Sequence, residues 1–349
     1  LNNVLEVLYE IYGDFQYLFL DEIQNIEGWE LFVNKLYRKN LNIIVTGSNA
    51  HLLSRELATH LTGRNLALNI FPFSFAEFLL YKKDPIDRNK LSTKKTALIK
   101  NLLNEYLLIG GFPQVIENPQ NKRIYLQSLY SDIINKDIII RHKVRLHKTL
   151  KQIANYLISN PTCEISFNKI KNIFKVQSTN TVLDYILFLE ESFLIFLLPK
   201  FSYKQKERDL ANRKVYAIDT GLSDALSINF SNNIGKIYEN AVFLELLRRK
   251  SLANNKEMDF FYYQDQQQYE VDFVVKTDKK IVELIQVCFD LNNFDTEKRE
   301  LRALIKASED LHCNKLTIIH SNQENIIKLE DKKINVIPLY KWLLTDALG

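Results

Sequence analysis

Along the chain, short continuous apolar runs alternate with longer segments in which apolar residues recur at three- and four-residue steps. The first pattern predicts buried strands and the second predicts amphipathic helices packed on them. Residues 2–12 place Val4, Leu5, Leu8 and Ile11 or Tyr12 on one side of a helix that Gly13-Asp14 ends. Tyr17-Leu18-Phe19-Leu20 is too short for a helix and runs straight into Asp21-Glu22. That predicts a strand buried on both faces, with two carboxylates at its carboxyl end. Residues 29–38 return to helical spacing through Trp29, Phe32, Val33 and Leu36, with Trp29 expected in the core. Residues 41–45 form a second apolar run that ends in Thr46-Gly47-Ser48-Asn49. Such alternation predicts a parallel sheet, whose carboxyl edge faces a ligand crevice in open α/β folds.

A polar, charge-rich interval at 82–95 contains the turn signal Asp84-Pro85 and marks a first boundary, giving units 1–95 and 96–214. A helix over 96–108 leads to Gly110-Gly111-Phe112-Pro113, read as a structural corner because no lysine or hydroxyl accompanies the glycines. A long helical pattern over 125–140 follows. Helices near 149–159, 167–174 and 178–191, then strands at 193–198 and 214–218, predict a winged helix. Ser166 and Ser178 are expected caps for its second and third helices, and residues 200–213 its basic hairpin. From 215 to 349 the pattern is again α/β: a helix near 237–247, strands at 260–263, 269–276 and 281–288, a helix at 298–311, and strands at 315–320 and 334–339.

A length of 349 residues calls for two or three domains rather than one core. Apolar residues make up 46% and charged residues 25%, an ordinary globular balance, and a formal charge of +4 does not by itself require nucleic acid. Three scattered cysteines argue against a disulfide framework or zinc ribbon and for a cytoplasmic setting. The longest apolar run is too short for a bilayer, so no membrane partner is expected.

Chemistry gathers at the first sheet edge. One carboxylate at such an edge can hold magnesium through water, and a second can orient or deprotonate an attacking water. With Leu61-Thr62-Gly63-Arg64 and the run Asn69-Ile70-Phe71-Pro72-Phe73-Ser74-Phe75-Ala76-Glu77-Phe78, the combination resembles the AAA-type P-loop ATPases. More narrowly it resembles a prokaryotic, mostly archaeal, group that ends in a nuclease-like domain. The resemblance implies ATP and Mg2+ as cofactors, Asp21 and Glu22 as the Walker B pair, and Glu22 as base or water-orienting residue. It implies Ser48 or Asn49 as the γ-phosphate sensor and Arg64 as a γ-phosphate arginine, acting in its own subunit or on a neighbour in a homo-oligomer. No Gly-x-x-x-x-Gly-Lys-Ser/Thr occurs in the sequence, and in the family that loop precedes the Walker B strand. The expectation is therefore a chain truncated at its amino end.

The region from residue 215 resembles the restriction-endonuclease-like fold, in which a helix glutamate, a strand aspartate and a Glu-x-Lys hold magnesium and activate water. Glu239 matches the first and Asp272 the second. The third falls on Gln286-Val287-Cys288, so the last glutamate and the lysine are both replaced. Glu239, Asp272 and Gln286 are thus a degenerate candidate metal set, and a scaffold without nuclease activity is expected. Two stretches are candidate phosphate-backbone contacts: Arg141, Lys143 and Arg145 in the densest basic cluster, and Lys204, Lys206 and Arg208 in the hairpin. The predicted third helix of the winged unit is mainly apolar and offers only Asn180 as a base reader, so docking of a protein is as strongly indicated as DNA. The leading reading is an ATPase driving these modules. The alternatives are a metal-dependent DNA nuclease with a nucleotide switch, and a non-enzymatic DNA- or protein-binding regulator.

Overall fold

The computed structural model describes residues 2–23, 26–48, 66–83, 92–227, 234–252, 257–289, 294–329 and 331–345. Helix α1 (Asn2–Tyr12), strand β1 (Tyr17–Leu20), helix α2 (Trp29–Tyr37) and strand β2 (Asn42–Val45) form the amino-terminal unit. The strands pair in parallel from Tyr17 opposite Asn42 to Leu20 opposite Val45. Leu5, Phe32, Leu36 and Leu41 pack with Leu18, Leu20 and Ile43 beneath the sheet, and Trp29 joins Ile23 and Val33 in an adjoining cluster. One expectation is corrected: the strands are not buried on both faces. Tyr17 and Phe19 are 61% and 70% exposed. Both helices contribute to the cluster on one face, so alternate strand residues face away from it.

Helix α3 (Phe75–Tyr81) begins with a capping box: the Glu77 amide donates to the Ser74 hydroxyl, and the Glu77 carboxylate accepts from the Ser74 amide. Helix α4 (Thr93–Ile109) leads into the Gly110-Gly111 corner, followed by α5 (Pro113–Glu117) and α6 (Lys122–Asp132). The last continues as a wider π-helix (Ile133–Ile140). Next come α7 (His147–Ser159), β3 (Glu164–Ile165), α8 (Phe167–Ile173), α9 (Thr179–Glu191), β4 (Ile195–Pro199), α10 (Gln205–Leu210) and β5 (Arg213–Ala217). The strands form an antiparallel sheet in the order β3-β5-β4. Ser178 caps α9 through the Asn180 amide, whereas the Ser166 side chain makes no cap bond. The expected hairpin after β4 carries the short helix α10 instead.

Helices α11 (Thr220–Leu226) and α12 (Ile234–Leu252) precede β6 (Met258–Gln264), β7 (Glu270–Thr277), β8 (Lys280–Cys288), α13 (Phe294–Asp310), β9 (Leu316–His320), β10 (Asn325–Leu329), β11 (Lys332–Pro338) and α14 (Leu339–Leu343). Their sheet has the order β10-β11-β9-β8-β7-β6, with β8, β9 and β11 mutually parallel and the other pairs antiparallel. A single large apolar cluster runs from Phe75 through the β4–β5 sheet to Phe273 and Leu344. Across it the Tyr216 ring lies flat on Phe243, with centroids 4.0 Å apart.

The Gly110-Gly111 corner is structural, as expected. Gly110 has φ +80°, and a Cβ there would stand 2.1 Å from an oxygen of the buried Asp219 carboxylate. That carboxylate accepts hydrogen bonds from the Gly111 amide at 2.6 Å and the Leu222 amide at 2.9 Å. Gly110→Ala is expected to lower stability by at least about 2 kcal/mol, combining backbone strain with the clash. Gly13→Ala, also at positive φ but in open space, should cost only about 1 kcal/mol. Thermal unfolding of both variants separates the two effects; equal losses would refute the packing argument.

Glu190, at the end of α9, ties that helix to β4 by accepting the Leu197 amide at 3.1 Å. Burial raises its pKa from 4.5 to about 7, although the Leu197 amide and Arg213 oppose the rise. The folded state therefore binds more protons than the unfolded state between pH 4.5 and 7, and this group's contribution to stability falls as pH rises through that window. Glu190→Gln keeps an acceptor for Leu197 and removes the penalty. Above pH 7 it should gain stability by up to roughly 3 kcal/mol, with no gain below pH 4.5. Denaturant unfolding across pH 4–8 checks the slope.

Candidate functional site

Polar groups meet at the carboxyl edge of β1–β2 because two parallel strands end there in Asp21-Glu22 and Thr46-Gly47-Ser48. The Thr46 hydroxyl donates to Asp21 Oδ1 and accepts from the Glu22 amide at 3.3 Å. Glu22 has φ +48°, a left-handed conformation that non-glycine residues seldom adopt, two residues past the end of the strand. The Ser48 hydroxyl lies 3.3 Å from Glu22 Oε2 and 3.2 Å from Asp137 Oδ1. Asp137, on the π-helix, also pairs with Arg141 at 3.2 Å. Asp21, Glu22 and Ser48 are thus brought together as expected, while Asn49 and Arg64 lie outside the described residues. The exposed carboxylates and adjoining hydroxyls form an oxygen-only donor set that suits a hard cation such as magnesium. Asp137 was not foreseen. Its signal is a single acid within the apolar run of the π-helix.

A second constellation lies between the β3-β5-β4 sheet and the six-stranded sheet. Lys214 on β5 is only 3% exposed. Its ammonium contacts Glu239 on α12 at 3.0 Å, Glu270 on β7 at 2.6 Å and Asp272 on β7 at 3.0 Å. Tyr216, two residues along β5 and therefore on the same face, donates its hydroxyl to the same Glu239 oxygen at 2.7 Å. Asp272 also accepts the Val287 amide at 2.9 Å. Gln286 Oε1 accepts the Asp272 amide at 3.3 Å, while its side-chain NH2 donates to Glu300. Burial would lower the Lys214 pKa, but Glu239, Asp272 and Glu270 outweigh it and hold the pKa well above the usual range. Glu239 moves up from 4.5 to about 7, driven by burial and by Asp272, with Lys214 opposing. Glu239, Asp272 and Gln286 therefore do converge. Lys214, at the start of the strand expected over 214–218, stands among them. Its signal is a lysine opening the otherwise apolar run Val215-Tyr216-Ala217-Ile218.

The basic candidates divide. Arg141 is turned toward Asp137, with its side chain 18% exposed, while Lys143 and Arg145 are exposed. Lys204 pairs with Glu207 at 2.8 Å, Lys206 is exposed, and Arg208 lies over the Phe261 ring at 5.8 Å. Among the described residues, no helix is long and apolar enough to cross a membrane.

Comparison with known proteins divides the chain into three stretches. A profile described as an AAA domain matches residues 1–79. Two domains of unknown function, DUF8612 and DUF4143, match residues 100–233 and 234–342. An uncharacterized protein of Methanocaldococcus jannaschii is 38% identical over 357 residues, covering 99% of this chain and 78% of its own length. An uncharacterized protein of Haemophilus influenzae is 32% identical over 290 residues, covering 80% of this chain and 68% of its own length. A second uncharacterized Methanocaldococcus jannaschii protein is 28% identical over 239 residues, covering 59% and 48%. No solved structure matches.

Proposed function

Since the chain belongs to the family of the 38%-identical Methanocaldococcus jannaschii protein and carries an AAA domain at residues 1–79, we propose that it is an ATPase. One observation carries this reading: the acid pair Asp21-Glu22 and the hydroxyls of Thr46 and Ser48 sit together at the carboxyl edge of parallel strands. Asp21, oriented by Thr46, would hold Mg2+ directly or through water. The ion would supply charge neutralisation for the phosphates. Glu22 orients or deprotonates the attacking water, and Ser48, within reach of Glu22, senses the γ-phosphate. Asn49 is the alternative to Ser48 as sensor and Arg64 takes the arginine role in this proposal; an Arg64 that reaches a neighbour would make the active form a homo-oligomer. Free cysteines at 163, 288 and 313 fit a cytoplasmic setting.

The other two units are proposed as output modules. The order helix, strand, helix, helix, strand, strand from α7 to β5, with the short helix α10 set between the last two strands, supports a winged helix. The outward residues of its third helix are Asn180, Leu183, Asp184 and Leu187, a surface suited to a protein partner rather than to base readout. A second reading, contact with a nucleic-acid backbone, is favoured by the exposure of Lys143, Arg145 and Lys206. The carboxyl-terminal unit is proposed as a nuclease-like scaffold without cleavage activity.

In the full-length protein, Glu22→Gln should slow ATP turnover by roughly a hundredfold or more while ATP binding persists. Steady-state hydrolysis beside equilibrium nucleotide binding provides the check. Unchanged turnover would remove Glu22 from the mechanism, and loss of binding in both proteins would remove the nucleotide site itself.

A further inference from the structure

The carboxylates that converge on Lys214 come from the unit beyond residue 233, whereas Lys214 is delivered by β5 of the preceding unit. The ammonium donates to Glu239 and Asp272 and pairs with Glu270, so three carboxylates lie within 3.0 Å of it. Most oxygens of the cluster already face a donor. Asp272 gives one oxygen to Lys214 and the other to the Val287 amide. Glu239 Oε1 is shared by Lys214 and the Tyr216 hydroxyl. Gln286 Oε1, a neutral ligand at best, accepts the Asp272 amide, and its NH2 is committed to Glu300. Among the described residues, no group of three or more His, Cys, Asp or Glu side chains is arranged to hold a metal ion. The residues present do not fit a divalent cation, because an ammonium already sits among the carboxylate oxygens that a metal would need.

We propose that the Lys214 ammonium is the resident cation of this acidic cluster, standing where a metal would otherwise bind and latching β5 to the carboxyl-terminal sheet. A buried carboxylate set without a counter-ion is strongly unfavourable, so some cation must accompany these acids into the core. A lysine fixed in the chain satisfies the acids at every metal concentration. A second cation against the same carboxylates would be repelled by the first and would need hydrogen bonds broken to make room. The cluster then works as a joint between units and not as a metal centre. This assignment is independent of the nucleotide site.

The test is Mn2+ binding to the full chain without nucleotide, followed by electron paramagnetic resonance, in the wild type, Asp272→Asn, Lys214→Met and Lys214→Met/Asp272→Asn. Wild type and Asp272→Asn are expected to bind Mn2+ alike. Lys214→Met should gain a site at least about tenfold tighter than any in the wild type, and Asp272→Asn should abolish it. The melting temperature of Lys214→Met, but not of wild type, should rise with Mn2+ through this site. Should Lys214→Met fail to fold, Lys214→Met/Glu270→Gln lowers the uncompensated charge while keeping Glu239 and Asp272 as ligands. If that also fails, wild type against Asp272→Asn decides alone. Wild-type Mn2+ binding that Asp272→Asn removes would overturn the proposal, as would a folded Lys214→Met that gains no Mn2+ site.

Discussion

The buried Asp219 carboxylate is the point on which the larger part of the chain depends. It caps α11 through the Leu222 amide and holds the Gly111 amide, so that one side chain joins the start of a helix to a corner more than a hundred residues earlier. The corner passes the constraint on: the Gly111 carbonyl accepts the Phe73 amide at 2.8 Å. Arg248 then grips the same segment, donating to the Pro72 carbonyl at 2.9 Å, and Tyr106 donates to the Phe73 carbonyl at 2.9 Å. Burial pushes the Asp219 pKa up, while the amides and Arg248 oppose it. A carboxylate in such a place is tolerable because each oxygen accepts a backbone amide, one from the corner and one from the first turn of α11.

Much of the architecture was legible because it rests on local periodicity. Trp29, Phe32, Val33 and Leu36 recur at helical spacing and all are buried, and the apolar runs at 271–275 and 316–319 are buried strands. What escaped the reading had weak local signals. Strand β3 is two residues long, and β10 is an exposed edge strand whose five residues include Asn325 and Lys328. The exposed face of β1 escaped for a different reason. Aromatic residues at 17 and 19 read as buried in sequence, and only the placement of both helices beneath the opposite face leaves them uncovered.

The two polar constellations were half legible. Acids at strand ends or inside apolar strands are conspicuous, so Asp21, Glu22, Asp272 and the helix residue Glu239 could be picked out. Their partners could not. Asp137 and Lys214 are recruited across long sequence separations, and a lysine within a basic stretch looks like any solvated lysine until the fold buries it. Long-range electrostatic pairing is settled by tertiary placement, and neither spacing nor composition encodes it.

The flat stacking of Tyr216 on Phe243 bears on how such a chain can be inherited. The two family profiles meet at residues 233 and 234, yet the apolar cluster crosses that border without a gap. The border separates stretches of sequence relatedness; it does not coincide with a break in the packed core. Recombination that exchanged one stretch for a distant counterpart would strip a ring from its stack and acids from their cation in the same event. Two such segments are expected to travel through evolution as a block, diverging in concert where they touch.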